Sequence, residues 1–217
     1  VLVAWSDVAT VLDRVDREQL QRVIDATDVV IFEGAQGVLL DEIWGFHPHT
    51  TWSDCTFGGA LKLAGDRPIK RLGVTRACTV RHGRGPFPTA GTVEVDEPHN
   101  GDSGAQGAFR AGALDGVLLR YAVDVVGGVD GLAVTCLDQS IGKVCGGYRS
   151  ESGAIIRDLT PGAPDDLAHR EALGRWLRTV DPVLFGADPI EFLEETVGTD
   201  TWIESHGPRP SDKVWRH

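Results

Sequence analysis

The segment Glu33-Gly34-Ala35-Gln36-Gly37 sets a glutamine amide between two glycines. Glycine lets a ligand approach the backbone, and an amide that both donates and accepts suits a purine edge or a developing oxyanion. On spacing alone the same residues read more readily as a plain strand-to-helix turn. His47 and His49 stand two apart with Pro48 between them, and no Cys or carboxylate cluster completes a metal set. They are read as surface or pocket wall, and no metal ligand is assigned. Ser205-His206 fails as a nucleophile and base, because adjacent side chains on an extended segment point apart. No G-x-x-x-x-G-K-[ST] phosphate loop occurs in the 217 residues.

These residues need a scaffold. From Asp7 to Asp28, Val8, Val11, Leu12, Val15, Leu20, Val23 and Ile24 recur at three- and four-residue spacing, which predicts an amphipathic helix. Val29 to Phe32 then reads as a buried strand opening into the Gln36 loop. A second strand is expected from Ile69 to Val80, ending at the irregular run from His82 to Pro88. Gly107 to Val126 has helical spacing and stops at Gly127-Gly128, and Leu132 to Leu137 follows as a strand. Lys143–Tyr148 and Ala154–Leu159 read as a hairpin, Pro164–Val180 and Asp188–Val197 as helices, and Thr201–Glu204 as a closing strand. Alternating helices and strands imply an α/β fold with a mostly parallel sheet covered by helices, which binds ligands at the carboxyl ends of its strands. No repeat or linker divides the chain, so residues 1–217 are read as one domain.

Composition sets outer bounds. A net charge of −11 disfavours an extended surface for the phosphate backbone of nucleic acid, yet local arginines can still bind a small anion. No apolar run is long enough to span a bilayer, so neither nucleic acid nor membrane is an expected partner. Cys55, Cys78, Cys136 and Cys145 are scattered without a C-x-x-C pair, which fits free thiols in a reducing cytoplasm. Val1 is not methionine, methionine is absent throughout, and no signal peptide is visible; residues upstream of Val1 are expected. Trp176, Trp202 and Trp215 are read as core or subunit contacts.

Glu33 to Asp41 resembles the EGAQG-x-LLD segment of adenylosuccinate synthetases. Gly58-Gly59, Gly85-Pro86-Phe87-Pro88-Thr89, Ala113-Leu114-Asp115 with Arg120 to Val123, Thr135-Cys136-Leu137-Asp138, Gly146 to Arg149, and Ser205-His206-Gly207-Pro208-Arg209 follow in that family's order. The resemblance runs from about Val29 to Pro210 and corresponds to roughly the carboxy-terminal two thirds of the family. It implies a P-loop-NTPase-like synthetase fold truncated at the amino terminus. The implied activity is a ligase in which GTP phosphorylates the 6-oxygen of IMP or a related purine and an amine, such as aspartate, then displaces the phosphate. The implied site has Gln36 at the 6-oxygen side of the purine, as catalytic and substrate-binding residue, with Thr51 at the nucleotide phosphate and Arg110 at the substrate. Asp138 would accept from guanine N1 and the 2-amino group, with Ser205, Gly207 and Pro208 framing the base; on its own, Asp138 reads equally as a strand-end cap. Mg²⁺, with ligands in an amino-terminal segment, and a homodimer are also implied.

The chain departs from the family at named places. The family's TTG-R-x-RR loop stands here as Gly104 to Arg110, without most of its arginine forks, and the lysine of TKLD is Cys136. His47 to Asp54 replaces a more hydroxyl-rich segment, and no GDEGKGK stretch is present. Two readings follow: a specialised carbon-nitrogen ligase acting on an altered substrate pair, or a catalytically inactive purine-nucleotide-binding or regulatory subunit derived from the family.

Overall fold

The computed structural model of the chain describes residues 15–97, 106–140 and 142–216. They fall into two compact units, one drawn from Val1–Glu33 and Gly58–Ile69, the other from Gly34–Phe57 and Lys70–His217.

In the first unit, α1 (Arg17–Asp25) starts at a reciprocal cap. Asp16 accepts from the Gln19 amide and the Gln19 side chain accepts from the Asp16 amide, both at 2.8 Å. Of its residues only Ile24 is buried, while Val15 and Val23 are exposed. The start of the helix expected from Asp7 lies outside the described residues. α2 (Gly58–Ala64), not anticipated from spacing, is followed by Arg67, which donates to the Ile24 and Thr27 carbonyls. Val29 to Phe32 forms no strand, and Val29 and Ile31 are 76% and 86% exposed. A β-branched run adopts strand geometry by pairing, and it has no ladder partner among the described residues.

Among the described residues the second unit is built on three sheets. β1 (Leu72–Arg76), β5 (Gly131–Thr135) and β9 (Thr201–Ser205) run parallel in that order, and β10 (Lys213–Trp215) closes one edge antiparallel to β9. At the other edge β1 is paired on one side only among the described residues. β2 (Thr79–His82) and β3 (Phe109–Gly112) form an antiparallel ribbon. In the third sheet β6 (Lys143–Arg149) runs parallel to β4 (Leu114–Asp115) and antiparallel to β7 (Ile155–Ile156) and β8 (Asp181–Gly186). The fold is α/β as expected, but its sheets are mixed.

The helices start and stop on local chemistry. α3 (Gly116–Val125) begins where Asp115 accepts from the Val117 and Leu118 amides and ends at Gly127 and Gly128, both at positive φ. α4 (Leu167–Trp176) is capped by Asp166, and α5 (Pro189–Val197) by Asp188 and then Gly198 at φ 72°. One core joins β4, β5, β6 and α5 through Leu114, Val134, Val144 and Leu193. Another sets Phe46 and Leu177 against Tyr121 and Tyr148.

Two expected elements are corrected. Ile69 to Val80 is not one strand: the chain turns at Ala77-Cys78, so β1 and β2 serve different sheets. The Ala77 amide still donates to the Thr135 carbonyl at 2.8 Å, ending the β1–β5 ladder there. Gly107 to Val126 is helical only from Gly116; its first half is β3 and β4, whose ladders with β2 and β6 override the local spacing. β8 and β10 were not anticipated, and the hairpin, α4, α5 and β9 fall within or close to their expected ranges.

Candidate functional site

Because β1, β5 and β9 are parallel, their carboxyl ends share one edge of the sheet, and the segments after β5 and β9 leave it side by side. After β5 the backbone turns sharply: Cys136 has φ 57° and ψ 34°, and Leu137–Gln139 is a 3-10 turn. That geometry lifts Asp138 into solvent, where its carboxylate has no hydrogen-bond partner among the described residues. Asp138 therefore does not cap the strand end. After β9 the chain is stiff. The Ser205 hydroxyl donates to the Gly207 carbonyl at 3.2 Å, the His206 amide to the Asp212 carbonyl at 2.9 Å, and the Arg209 amide to the Asp212 carboxylate at 2.8 Å. Lys213 donates to the Gly207 and Arg209 carbonyls. Pro208 is exposed on this loop. The structure thus gathers Asp138, Ser205, Gly207 and Pro208 at one sheet edge.

Gln36 is exposed at φ 67°, so Gln36 and Cys136 are the two non-glycine residues in the left-handed region among those described. Both lie in loops singled out by residue type. A left-handed backbone at a residue with a Cβ costs on the order of 1–2 kcal/mol, and such strain collects at functional positions. The Gln36 amide has no partner among the described residues.

Downstream of Gln36, the fully buried Asp41 organises the 41–55 segment. One carboxylate oxygen accepts from the Ile43 and Trp44 amides, at 2.8 and 2.9 Å, and the other from the Cys55 amide at 2.7 Å. The Thr51 amide donates to the Leu40 carbonyl at 2.7 Å, which holds Thr51 against the turn that follows Gln36. From the core side, the Tyr121 hydroxyl donates to the Trp44 carbonyl at 2.6 Å and its ring packs on Phe46 at 5.3 Å. Sequence reasoning quoted Asp41 without a role; the signal was an aspartate closing a glycine-containing motif.

Arg110 is half-buried in β3, its guanidinium donating to the Gly85 carbonyl at 2.8 Å and lying 5.3 Å from the Phe87 ring centroid. Arg81, in β2, donates to the His49 carbonyl at 2.8 Å and packs so closely on Gly85 that a Cβ there would fall 1.9 Å from its Nη2. The two arginines clasp the Gly85–Thr89 segment. Burial, then Arg110 and Arg178, push Arg81 down to about 10; burial and Arg178 lower Arg110. Arg178, just beyond α4, donates to His49 Nε2 at 2.9 Å and to the Arg84 carbonyl at 2.5 Å. An imidazole nitrogen that accepts from a guanidinium is unprotonated, and burial followed by Arg178, Arg81, Arg110 and Arg84 lowers the His49 pKa. His47 Nε2 contacts the Glu42 carbonyl at 2.8 Å. Sequence reasoning missed this arginine group because its members come from β2, the segment after it, β3 and the end of α4.

Thr51 is thus tied to the turn after Gln36, Arg110 to the Gly85 segment, and Asp138 and Ser205 lie in the loops after β5 and β9; no hydrogen bond among the described residues joins Gln36, Thr51 or Arg110 to the Asp138 and Ser205 loops. The described residues form clefts, of which two matter here. One, of about 290 Å³, lies between the 47–49 segment and Glu171, Gly174, Arg175 and Arg178, and the other, of about 370 Å³, involves Glu194, Asp200, Thr201 and Arg216. Neither is lined by Gln36 or Asp138. Among the described residues no helix is long and apolar enough to cross a membrane, and the four cysteines are free thiols.

The family profile of adenylosuccinate synthetase matches residues 6–209. Among curated proteins, an adenylosuccinate synthetase of Pseudomonas putida is 36% identical over 211 residues, which is 87% of this chain and 49% of that protein. One from Thermoanaerobacter is 35% identical over 208 residues, 85% of this chain and 48% of that protein. The chain spans about half the length of the curated relatives it matches. In fold it is similar to the fully ligated adenylosuccinate synthetase of Plasmodium falciparum, with a TM-score of 0.64 at 20% identity, covering 85% of this chain and 49% of that one. It is also similar to the succinoaminodeoxyadenylate synthetase of cyanophage S-2L bound to dGMP and dATP as an energy donor, with a TM-score of 0.58 at 15% identity, covering 95% and 52%.

Proposed function

The chain belongs to the adenylosuccinate synthetase family, and from that premise we propose that it holds two purine nucleotides for a carbon-nitrogen ligation. The γ-phosphoryl group of GTP passes to the 6-oxygen of IMP or a related purine, leaving GDP. The nitrogen of aspartate or another amine donor then attacks C6, loses a proton and expels inorganic phosphate as the C–N bond forms. What carries this reading is the pair of loops around Gln36 and Asp138, each set by a left-handed non-glycine residue and each offering a side chain without a partner among the described residues.

Each residue has a part in the proposal. The Gln36 amide donates to the 6-oxygen, whose negative character grows as the bond to phosphorus forms. Thr51, held against the Leu40 carbonyl, meets the nucleotide phosphate. The Asp138 carboxylate accepts from guanine N1 and the 2-amino group, a pair that adenine does not offer, and the Ser205–Pro208 loop frames the base. Arg110, engaged with Gly85 and Phe87, serves the substrate side by fixing the Gly85–Thr89 segment. No group of three His, Cys, Asp or Glu side chains that could hold a metal ion gathers among the described residues. The Mg²⁺ that family membership implies is expected to take its ligands from an amino-terminal segment, and no step is derived through it. The reaction draws on soluble nucleotides, so the proposed setting is the cytoplasm, and the proposed assembly is a homodimer.

Calorimetric titration of the full chain with IMP, GTP and GDP tests the base assignments. Gln36→Ala is expected to weaken IMP about 10-fold and spare GDP, whereas Asp138→Ala weakens GTP and GDP about 10- to 100-fold and spares IMP. Unchanged affinities in both variants would refute the assignment. The departures at Cys136 and at 106–110 favour a second reading, a nucleotide-binding subunit without catalysis. It shares these affinities but releases no phosphate when IMP, GTP and a panel of amines are combined.

A further inference from the structure

Arg81, Arg84, Arg110 and Arg178 converge on one imidazole, His49, and none makes an ion pair among the described residues. The chain has 32 acidic side chains against 21 Lys and Arg, so carboxylates were not scarce. Four like charges at close quarters repel, and an arrangement of this kind is relieved by an anion that supplies the missing countercharge. Two of the four are short of partners as well: the Nε atoms of Arg81 and Arg110 are buried without an acceptor among the described residues.

The 290 Å³ cleft opens beside this group. Its wall on one side is the 47–49 segment; on the other it is α4, where a Cβ added at Gly174 would fall 3.3 Å from the Phe46 Cβ, and the turn beyond it. Arg178 lines it with one nitrogen committed to His49 Nε2 and the Arg84 carbonyl, and its other donors have no partner among the described residues. Arg175, whose side chain is 71% exposed, is tied only loosely to Glu171 at 3.8 Å. Glu171 is the one acid in the lining, set against Arg175 and Arg178, with Arg81, Arg84 and Arg110 close behind.

We propose that this cleft binds a phosphate group, held by the Arg178 and Arg175 guanidiniums against the His47–His49 wall. Guanidinium forks match phosphate oxygens in geometry and charge. A volume at the lower end of ligand pockets, about 300 Å³, suits a single phosphate group or a small phosphomonoester better than a whole nucleotide. The proposal is independent of the base loops, so Gln36→Ala and Asp138→Ala leave it unchanged.

The test is calorimetric titration of the full chain, of Arg178→Ala and of Arg175→Glu with inorganic phosphate and with ribose 5-phosphate. The wild-type chain is expected to bind at least one of the two with a millimolar or lower Kd, and each variant to bind at least tenfold more weakly. Tighter binding of ribose 5-phosphate identifies a phosphate ester as the occupant, and equal binding identifies the free ion. Arg175 is solvent-facing, so its variant reads the site without disturbing the core. Absence of binding for both probes up to about 20 mM, or unchanged affinity in both variants, overturns the proposal.

Discussion

At the scale of single residues, aspartates do most of the positioning, and their environments separate them. Asp41 and Asp115 are both buried, yet Asp41 accepts three backbone amides whereas Asp115 divides itself between the α3 cap and the Tyr148 hydroxyl at 2.7 Å. Burial pushes Asp115 up to about 6, against the pull of Tyr148 and the Leu118 and Val117 amides. The folded chain therefore keeps a proton on Asp115 that the unfolded chain releases near 3.8. The stability this contributes is fully present below about pH 3.8 and is lost as pH rises through about 6, a swing on the order of 3 kcal/mol. Asn at this position still caps the helix but cannot titrate. Urea unfolding at several pH values should show the difference between wild type and Asp115→Asn moving in favour of Asn between pH 4 and 7; a pH-independent difference would contradict it. Gln36 and Asp138 were legible because their motifs are local. Their left-handed surroundings were not, since no pattern of residue types announces positive φ at glutamine or cysteine.

At the scale of elements, the site depends on segments that local pattern misjudged. The stretch from Ile69 to Val80 has strand composition throughout, but only the three-dimensional pairing reveals that β1 joins β5 while β2 turns away to β3. Phe109 and the residues after it keep helical spacing, and the ladder with β2 prevails because each strand residue gains a cross-strand partner. The β2–β3 ribbon in turn presents Arg81 and Arg110 to Gly85 from both strands. Gly85→Ala would drive the Arg81 guanidinium off its seat and from the His49 carbonyl. A loss of about 1–2 kcal/mol by urea unfolding is expected. In an Arg81→Ala background the same glycine change should cost much less, and equal costs in the two backgrounds would show that the clasp is not the reason for this glycine.

At the scale of the whole molecule, the α/β class and the order of the motifs were readable, because alternating apolar periods and strand-end loops survive divergence. The mixed character of the sheets was not: β8 opens on Asp181-Pro182, which reads as a turn, and β10 is only three residues long. Direction of pairing is a property of the assembled sheet, so Asp181–Gly186 and Lys213–Trp215 carry no mark of being antiparallel. Likewise a charge of −11 describes the average surface and conceals four arginines around one histidine.

The side of β1 that has no ladder partner among the described residues has a practical outcome for anyone preparing this chain in solution. Along Leu72–Arg76 amide and carbonyl groups face outward in register, and Val74, 70% exposed, adds an apolar handle. Such a border is a template onto which a second molecule can zip. Light scattering during size exclusion is expected to show mass growing with concentration, and Val74→Lys to suppress that growth by placing a charge on the seam. A constant mass at every loading, in both proteins, would mean that this margin is already shielded.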